Sequence, residues 1–242
     1  MVVGVTALLG VATRMRLARL LLITDLRAGI GDLPDFVAAA LAGGVDIVQL
    51  RDPRADAKEL ADGFVAVRTV VLNRKALLGL FDAVEVAHEV QADVLQLSER
   101  GPSAALARAS VHQWAQVGRS AHSRRQVDAA LADADVDYLT VGPVVGGLFG
   151  AGGLDLVAHA ATQAPPTDPA SKPWFAVGGI TLDNLDDVLA AGARRVAVSR
   201  GIADAEQPTE RAAAFADRLA RAWKDDPGMD QVVLGSMGPS GR

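Results

Sequence analysis

Eight times along the chain a short apolar run gives way to an amphipathic stretch, and this alternation limits the fold more than any other feature of the sequence. The runs are Leu20–Thr24, Ile47–Leu50, Leu77–Leu80, Val94–Leu97, Trp114–Val117, Tyr138–Val141, Trp174–Val177 and Val196–Val198. Each has the length and apolar continuity of a strand buried on both faces. Leu77–Leu80 also fits the extension of a helix. Helical periodicity follows over Leu33–Ala42, Lys58–Val70, Ala83–Val90, Ser103–Ala109, Arg124–Leu131, Asp155–Thr162, Asp183–Ala190 and Pro208–Lys224. Small or polar stops recur just before a strand, as Ala-Gly-Gly-Val-Asp46, Gln-Ala-Asp93, Asp-Val-Asp137 and Ala-Gly-Ala-Arg194. Strict alternation with short links implies a parallel sheet with right-handed crossovers, and eight units imply an α/β fold closed as a TIM (β/α)8 barrel. An open doubly wound sheet is the alternative, but no Gly-x-Gly-x-x-Gly follows the first strand.

Composition narrows the chemistry. With no cysteine among 242 residues there is no disulfide, thiolate metal site or cysteine nucleophile. A net charge of −5 offers no basic stripe for nucleic acid. Met1 to Thr13 is uncharged, with Arg14, Arg16 and Arg19 after the apolar stretch rather than before it. That order does not fit a secretory signal, and the run is short of the ~20 residues that span a bilayer. The expectation is a cytoplasmic protein without a membrane segment. Residues 1–16 are expected to be a leader, with Met15 as the true start; an intact Met1 terminus in mass spectrometry would contradict that. Residues 17–224 should form one barrel domain, and 225–242, rich in Gly, Pro and Ser, a flexible tail.

In a barrel, function belongs to the carboxyl ends of the strands and the loops after them. Gly178-Gly-Ile-Thr181 and Val198-Ser-Arg-Gly-Ile202 follow the last two strands, where backbone N–H groups and a helix dipole form a phosphate cup. Gly178, Gly179, Ser199 and Arg200 are the candidates; tight turns alone would also explain the glycines. Gln49 and Arg51 end the second strand with the same parity, so both face one side. A guanidinium facing the interior needs an anion, either a phosphate ester or an internal carboxylate such as Asp25 or Asp82. Ser120 and His122 share parity after the fifth strand, and His122 is the best acid/base candidate. His88, His112 and His159 fall in helices or a connector and should be solvated or packed. Asp25, Asp52 and Asp82 at strand ends suit Mg2+ held jointly with substrate phosphates, while Asp82 could instead cap a helix.

These loops resemble those of thiamine phosphate synthase and its relative thiazole tautomerase, from about Arg19 to Trp223. The most specific pieces are Val48-Gln-Leu-Arg-Asp52, Gly118-Arg-Ser-Ala-His122, Asp137-Tyr-Leu-Thr-Val-Gly-Pro143, Pro173-Trp-Phe-Ala-Val-Gly-Gly-Ile180 and Gly192-Ala-Arg-Arg-Val196. The resemblance implies a transferase that joins a hydroxymethylpyrimidine diphosphate to a thiazole phosphate, releasing pyrophosphate with Mg2+ as cofactor. It implies that Gln49 and Arg51 hold the pyrimidine diphosphate, with Asp52 beside them. Asp82 would hold the metal, and Ser120 the pyrimidine side. Gly178, Gly179, Ser199 and Arg200 would cradle the thiazole phosphate. Ser120 and His122 are the catalytic candidates. The partners implied are these two phosphorylated small molecules, and a homo-oligomer is compatible.

The chain departs from the synthase pattern at four places. Pro53 stands for a Lys, Phe81 for an Asn and Gly101 for a second metal Asp, with Glu99 nearby. The Thr-x-Thr-Lys loop is replaced by the uncharged Val144–Gly153, a glycine-rich loop compatible with movement over the barrel mouth, in which Phe149 either fills the site or flips out as part of a lid. These losses weigh less on a tautomerase or on a non-catalytic binder of a phosphate ligand, which stand as the alternatives. The synthase reading expects Arg51, Asp82, His122 and Arg200 gathered around a single anion.

Overall fold

The computed structural model describes residues 10–145 and 153–237. Along the chain run α1 (Val11–Leu17), β1 (Leu20–Thr24), α2 (Leu33–Ala42), β2 (Ile47–Leu50), α3 (Ala57–Asn73), β3 (Leu77–Phe81), α4 (Val84–Glu89), β4 (Val94–Leu97), α5 (Ala104–Ser110) and β5 (Gln116–Ala121). They are followed by α6 (Arg124–Ala132), β6 (Tyr138–Val141), α7 (Gly153–Gln163), β7 (Trp174–Val177), α8 (Leu185–Ala190), β8 (Val196–Val198), α9 (Arg200–Ala203), α10 (Pro208–Lys224) and α11 (Met229–Met237). The eight strands form a closed barrel in sequence order, and every pairing is parallel. The expected TIM barrel is therefore present.

Strand parity divides the apolar residues into two cores. Leu20, Leu22, Val48, Leu50, Leu78 and Leu80 face outward and pack with the helices. Leu21, Ile47, Leu77, Val94, Tyr138, Phe175 and Ala197 face inward and fill the lower barrel together with Met15 and Ala18. Toward the carboxyl ends the inward positions turn polar or small, as Gln49, Gly79, Gln96, Gly118, Ser120 and Thr140. That change of chemistry along each strand marks the working end.

The Asp that recurs before a strand has a defined task. Asp46 accepts the N–H of Arg19 at 2.7 Å and of Leu20 at 3.0 Å, Asp93 that of Leu78 at 3.1 Å, and Asp137 that of Val117 at 2.8 Å. Each carboxylate bonds backbone N–H at the start of the strand before its own and so sets the barrel's lower rim. Burial pushes the Asp46 carboxyl up, and the two N–H bonds from Arg19 and Leu20 offset only part of that effect.

Three readings are corrected. The fifth strand is Gln116–Ala121, two residues beyond the apolar run at Trp114–Val117, and Trp114 itself is exposed. The leader is not separate where it is described: α1 closes the amino end of the barrel, with Met15 fully buried. Part of the expected tail is helix α11, whose Met229 and Val232 are buried against Trp223. Thr13 donates to the carbonyl of Ser236 at 3.3 Å, joining the two terminal helices. Apolar spacing in Met229, Val232 and Val233 holds this helix, although Gly and Pro flank it. Truncating Met15 to Ala should cost about 2–4 kcal/mol, the range for emptying a fully buried site. Denaturant unfolding checks this; a loss under about 0.5 kcal/mol would show α1 to be dispensable.

Candidate active site

The carboxyl ends of β1, β2, β7 and β8 surround an open cleft of about 1150 Å3, whose walls include Asp25, Arg51, Gly178, Gly179, Ser199 and Arg200. Four arginines reach it, Arg27, Arg51, Arg54 and Arg200, and they are not equivalent. Arg27 makes a two-pronged bond to Asp32, at 2.6 and 2.9 Å. Hydrogen bonding to Asp32 raises the Arg27 pKa against the opposing effect of burial. Arg54 spans Asp25 at 3.1 Å and Asp52 at 3.3 Å. Among the described residues, neither Arg51 nor Arg200 lies within ion-pair distance of a carboxylate. The cleft thus carries two uncompensated cations, one at the end of β2 and one at the end of β8.

The β7–β8 end is built from backbone. Gly178 and Gly179 have φ of 99° and 69°, a region that costs other residues strain. A Cβ on Gly178 would lie 2.7 Å from Cβ of Pro143, and one on Gly179 2.8 Å from Cβ of Val145. This close approach lets Val144 and Val145 donate to the carbonyls of Val177 and Gly178 at 2.9 and 3.0 Å. Asn184 fastens the loop from the other side, accepting the N–H of Thr181 at 2.9 Å and donating to the Gly179 carbonyl at 2.8 Å. Ser199 is the N-cap of α9, whose leading N–H groups have no partner within the helix. These donors and the Arg200 guanidinium suit a phosphate monoester.

Outside the cleft's lining, the carboxyl ends of β2 through β6 carry a second group of polar residues. Gln49 is fully buried, and neither atom of its amide has a hydrogen-bond partner. Ser120, Gln96 and Thr140 form a buried polar cluster in which Gln96 Nε2 lies 3.0 Å from Ser120 Oγ and 3.1 Å from Thr140 Oγ1. His122 Nδ1 donates to the Gly142 carbonyl at 2.6 Å, which fixes the ring and turns Nε2 away from that bond. Its backbone N–H donates to Gln126, whose amide in turn bonds Glu99 at 2.8 Å. The Gln126 bond, more than the facing His122 and Arg100, holds the Glu99 carboxyl below its usual range despite desolvation. Asp82 has φ of 54° and accepts the Ser98 N–H at 2.7 Å, fixing the loop after β4.

The anticipated quartet around one anion is therefore corrected. Arg51 and Arg200 line the cleft, whereas Asp82 and His122, like Gln49 and Ser120, stand on β2, β3 and β5 or just beyond them, outside its lining. Asp52 is also not in the lining: it has the parity of Leu50, and accepts the N–H of Arg54 at 3.0 Å and of Leu26 at 3.4 Å. It ties together the loops after β1 and β2. Burial pushes its carboxyl up, but the bonds from Arg54 and Leu26 outweigh this and leave it below the usual range. A carboxylate lowered in the folded state contributes stability above its unfolded pKa near 3.9, and that stability is lost as pH falls further. Asp52→Asn should thus cost about 1–3 kcal/mol at neutral pH, with the deficit shrinking below about pH 4. Unfolding curves across pH check it; a deficit that grows on acidification would contradict the assignment.

The remaining histidines match expectation. His88 and His112 bond the carbonyls of Ser110 and Ala92, and His159 pairs with Asp128. Residues 146–152, with Phe149 and most of the altered loop, lie outside the described residues. Three functional neighbours escaped sequence reasoning. The Arg27–Asp32 bridge is visible only in three dimensions. Gln96 could have been found as a polar residue with inward parity in an apolar run, and Asn184 as a helix N-cap beside the glycine loop.

Comparison with known proteins identifies the family. Residues 20–202 match the family described as thiamine monophosphate synthase. The chain belongs to the thiamine monophosphate synthase family. It is 45% identical over 213 residues to the thiamine-phosphate synthase of Thermobifida fusca, covering 86% of this chain and 95% of that one. The thiamine-phosphate synthase of Acidothermus cellulolyticus is 44% identical over 209 residues, covering 85% and 96%. Among solved structures, thiamine phosphate pyrophosphorylase from Pyrococcus furiosus superposes with a TM-score of 0.75 at 25% identity, covering 86% of this chain and 98% of that one. Family membership thus spans the whole barrel, including both ends of the cleft.

Proposed function

We propose that this member of the thiamine monophosphate synthase family is a transferase that joins hydroxymethylpyrimidine diphosphate to thiazole phosphate, releasing pyrophosphate. The observation that carries the reading is that Arg51 and Arg200, neither paired with a carboxylate among the described residues, both line one cleft. A reaction between two phosphorylated substrates needs two anion holders facing a common space. The β7–β8 cup, with Gly178, Gly179, Ser199 and Arg200, binds the thiazole phosphate. Arg51 binds the diphosphate; Gln49 and Ser120, buried outside the cleft's lining, are assigned to the pyrimidine side on the family resemblance. Holding both partners in one orientation removes the entropy cost of their encounter, a large part of such a barrier. Charge grows on the departing pyrophosphate, so a fixed guanidinium stabilises the bond-breaking step more than the ground state.

Asp82 fits a Mg2+ ion in a limited way. One of its oxygens accepts the Ser98 N–H and the other is without a hydrogen bond among the described residues. A Cβ on Gly101 would run into Asp82 Oδ1, so a carboxylate there would sit beside it; with glycine the chain offers one carboxylate. Such a site suits Mg2+ that takes its other ligands from diphosphate and water, as this ion commonly does. When bound, the ion neutralises charge on the departing pyrophosphate. His122 Nε2 is the base of the β5 wall. No helix among the described residues is long and apolar enough to cross a membrane, and we place the enzyme in the cytoplasm.

The test is turnover. Purified protein with both substrates and Mg2+ should form thiamine phosphate and pyrophosphate in equal amounts. No product above background at high protein concentration would reject the reading. Isomerisation of a thiazole precursor that survives EDTA and vanishes in His122→Ala would replace it with the tautomerase.

A further inference from the structure

Phe81 stands where the synthase pattern carries a polar residue, and it has inward parity at the end of β3. Leu50 pairs with Leu80 in the sheet, which sets Arg51 directly across from Phe81 at the mouth of the barrel. On the other side Phe81 pairs with Gln96, of the buried polar cluster. The Arg51 guanidinium carbon lies 4.2 Å from the centroid of the Phe81 ring. A cation over an aromatic face at that distance is attracted by the ring's quadrupole without being neutralised. The contrast with the neighbouring arginines is instructive. Arg27 and Arg54 are held by carboxylates, which fix them but cancel their charge toward an incoming anion. Arg51 is exposed at the mouth and has a long side chain, so unsupported it would lose rotamer freedom each time it captured a ligand.

We infer that Phe81 is a positioning residue for diphosphate: its ring face holds the Arg51 guanidinium in place with its full charge available to the anion. This rests on the reading of Arg51 as the diphosphate cation. It gives a physical role to one of the chain's departures. An uncharged aromatic platform strengthens the one cation after β2 that no carboxylate pairs with among the described residues, where Pro53 supplies none. The class of ligand served is a diphosphate group, free or esterified.

The experiment replaces Phe81 site-specifically with mono-, di- and trifluorophenylalanine, which drains the ring's quadrupole while nearly preserving its shape. Binding of inorganic pyrophosphate is measured by calorimetry without added metal. Affinity should fall stepwise along the series, by roughly 2- to 5-fold in total. Phe81→Tyr should retain it, and Phe81→Leu should lose at least as much as the last fluorinated variant. Thermal unfolding in the same series controls for packing. Unchanged affinity across the series, with binding still weakened in Arg51→Ala, would overturn the role of Phe81 and leave the diphosphate site standing. Undiminished binding in Arg51→Ala would overturn both.

Discussion

A Gly178→Ala variant is expected to lose about 2–4 kcal/mol of stability and its affinity for thiazole phosphate together. Two costs combine at this position. A φ of 99° strains any side chain, and the added Cβ would lie 2.7 and 2.8 Å from Cβ and Cα of Pro143. A non-glycine residue at positive φ costs on the order of 1 kcal/mol, and overpacking against a fixed neighbour about 1–3 kcal/mol more. For a chain of this size that corresponds to a melting temperature lower by roughly 5–15 °C. Gly31 is the control: its φ is 76°, but nothing lies within 4 Å of its Cβ position, so Gly31→Ala should show the strain alone. Because the Gly178 carbonyl accepts from Val145, movement there also displaces the backbone groups that face the anion. Equal melting temperatures for the two variants would show that close approach to Pro143 is not what demands glycine at 178.

Arg51→Ala should have the opposite profile, with catalysis lost and stability kept. Removing a positioned donor for developing charge lowers kcat/KM by about 10²–10³-fold. The stability change should stay within about 1 kcal/mol, since the group is exposed and its aromatic support among the described residues is Phe81. Arg54→Ala separates charge from position. Arg54 also lines the cleft, but it is bound to Asp25 and Asp52 and its side chain is 78% exposed, so its loss should change kcat/KM less than 10-fold. Steady-state kinetics on the two variants decides the matter. Similar losses in both would mean that overall cleft charge, rather than the free guanidinium, does the work.

The barrel was legible because each strand is an apolar run closed off by helix-ending residues, a signal that depends only on neighbours in sequence. The fifth strand was misplaced for a physical reason. Near the mouth its inward residues are Gly118 and Ser120, since Gly118 makes room for the Tyr138 ring and Gln96, so apolarity stops marking the strand. Trp114, the strongest apolar mark, lies outside it. Parity gives Arg51 and Gln49 the same face, and of the two only Arg51 is in the cleft's lining. Applied to the next residue, it also shows that Asp52 faces away, in register with Leu50. What the sequence could not reveal is which cation stays free. That depends on which way the side chains turn within the loops after β1 and β2, where Asp32 reaches Arg27 and Asp52 reaches Arg54, and on Asp25 meeting Arg54 from the other loop in the folded chain. The terminal helices escaped notice because α1 and α11 support each other, neither having a periodic face long enough to stand alone.

Two anion subsites sharing one cleft is the claim on which the account turns, and simultaneous titration measures it most directly. Pyrophosphate and thiazole phosphate should each bind at one per chain and should bind together, with Arg51→Ala weakening only the first and Arg200→Ala only the second. Mutual exclusion of the two ligands, or equal weakening of both by either variant, would contradict it.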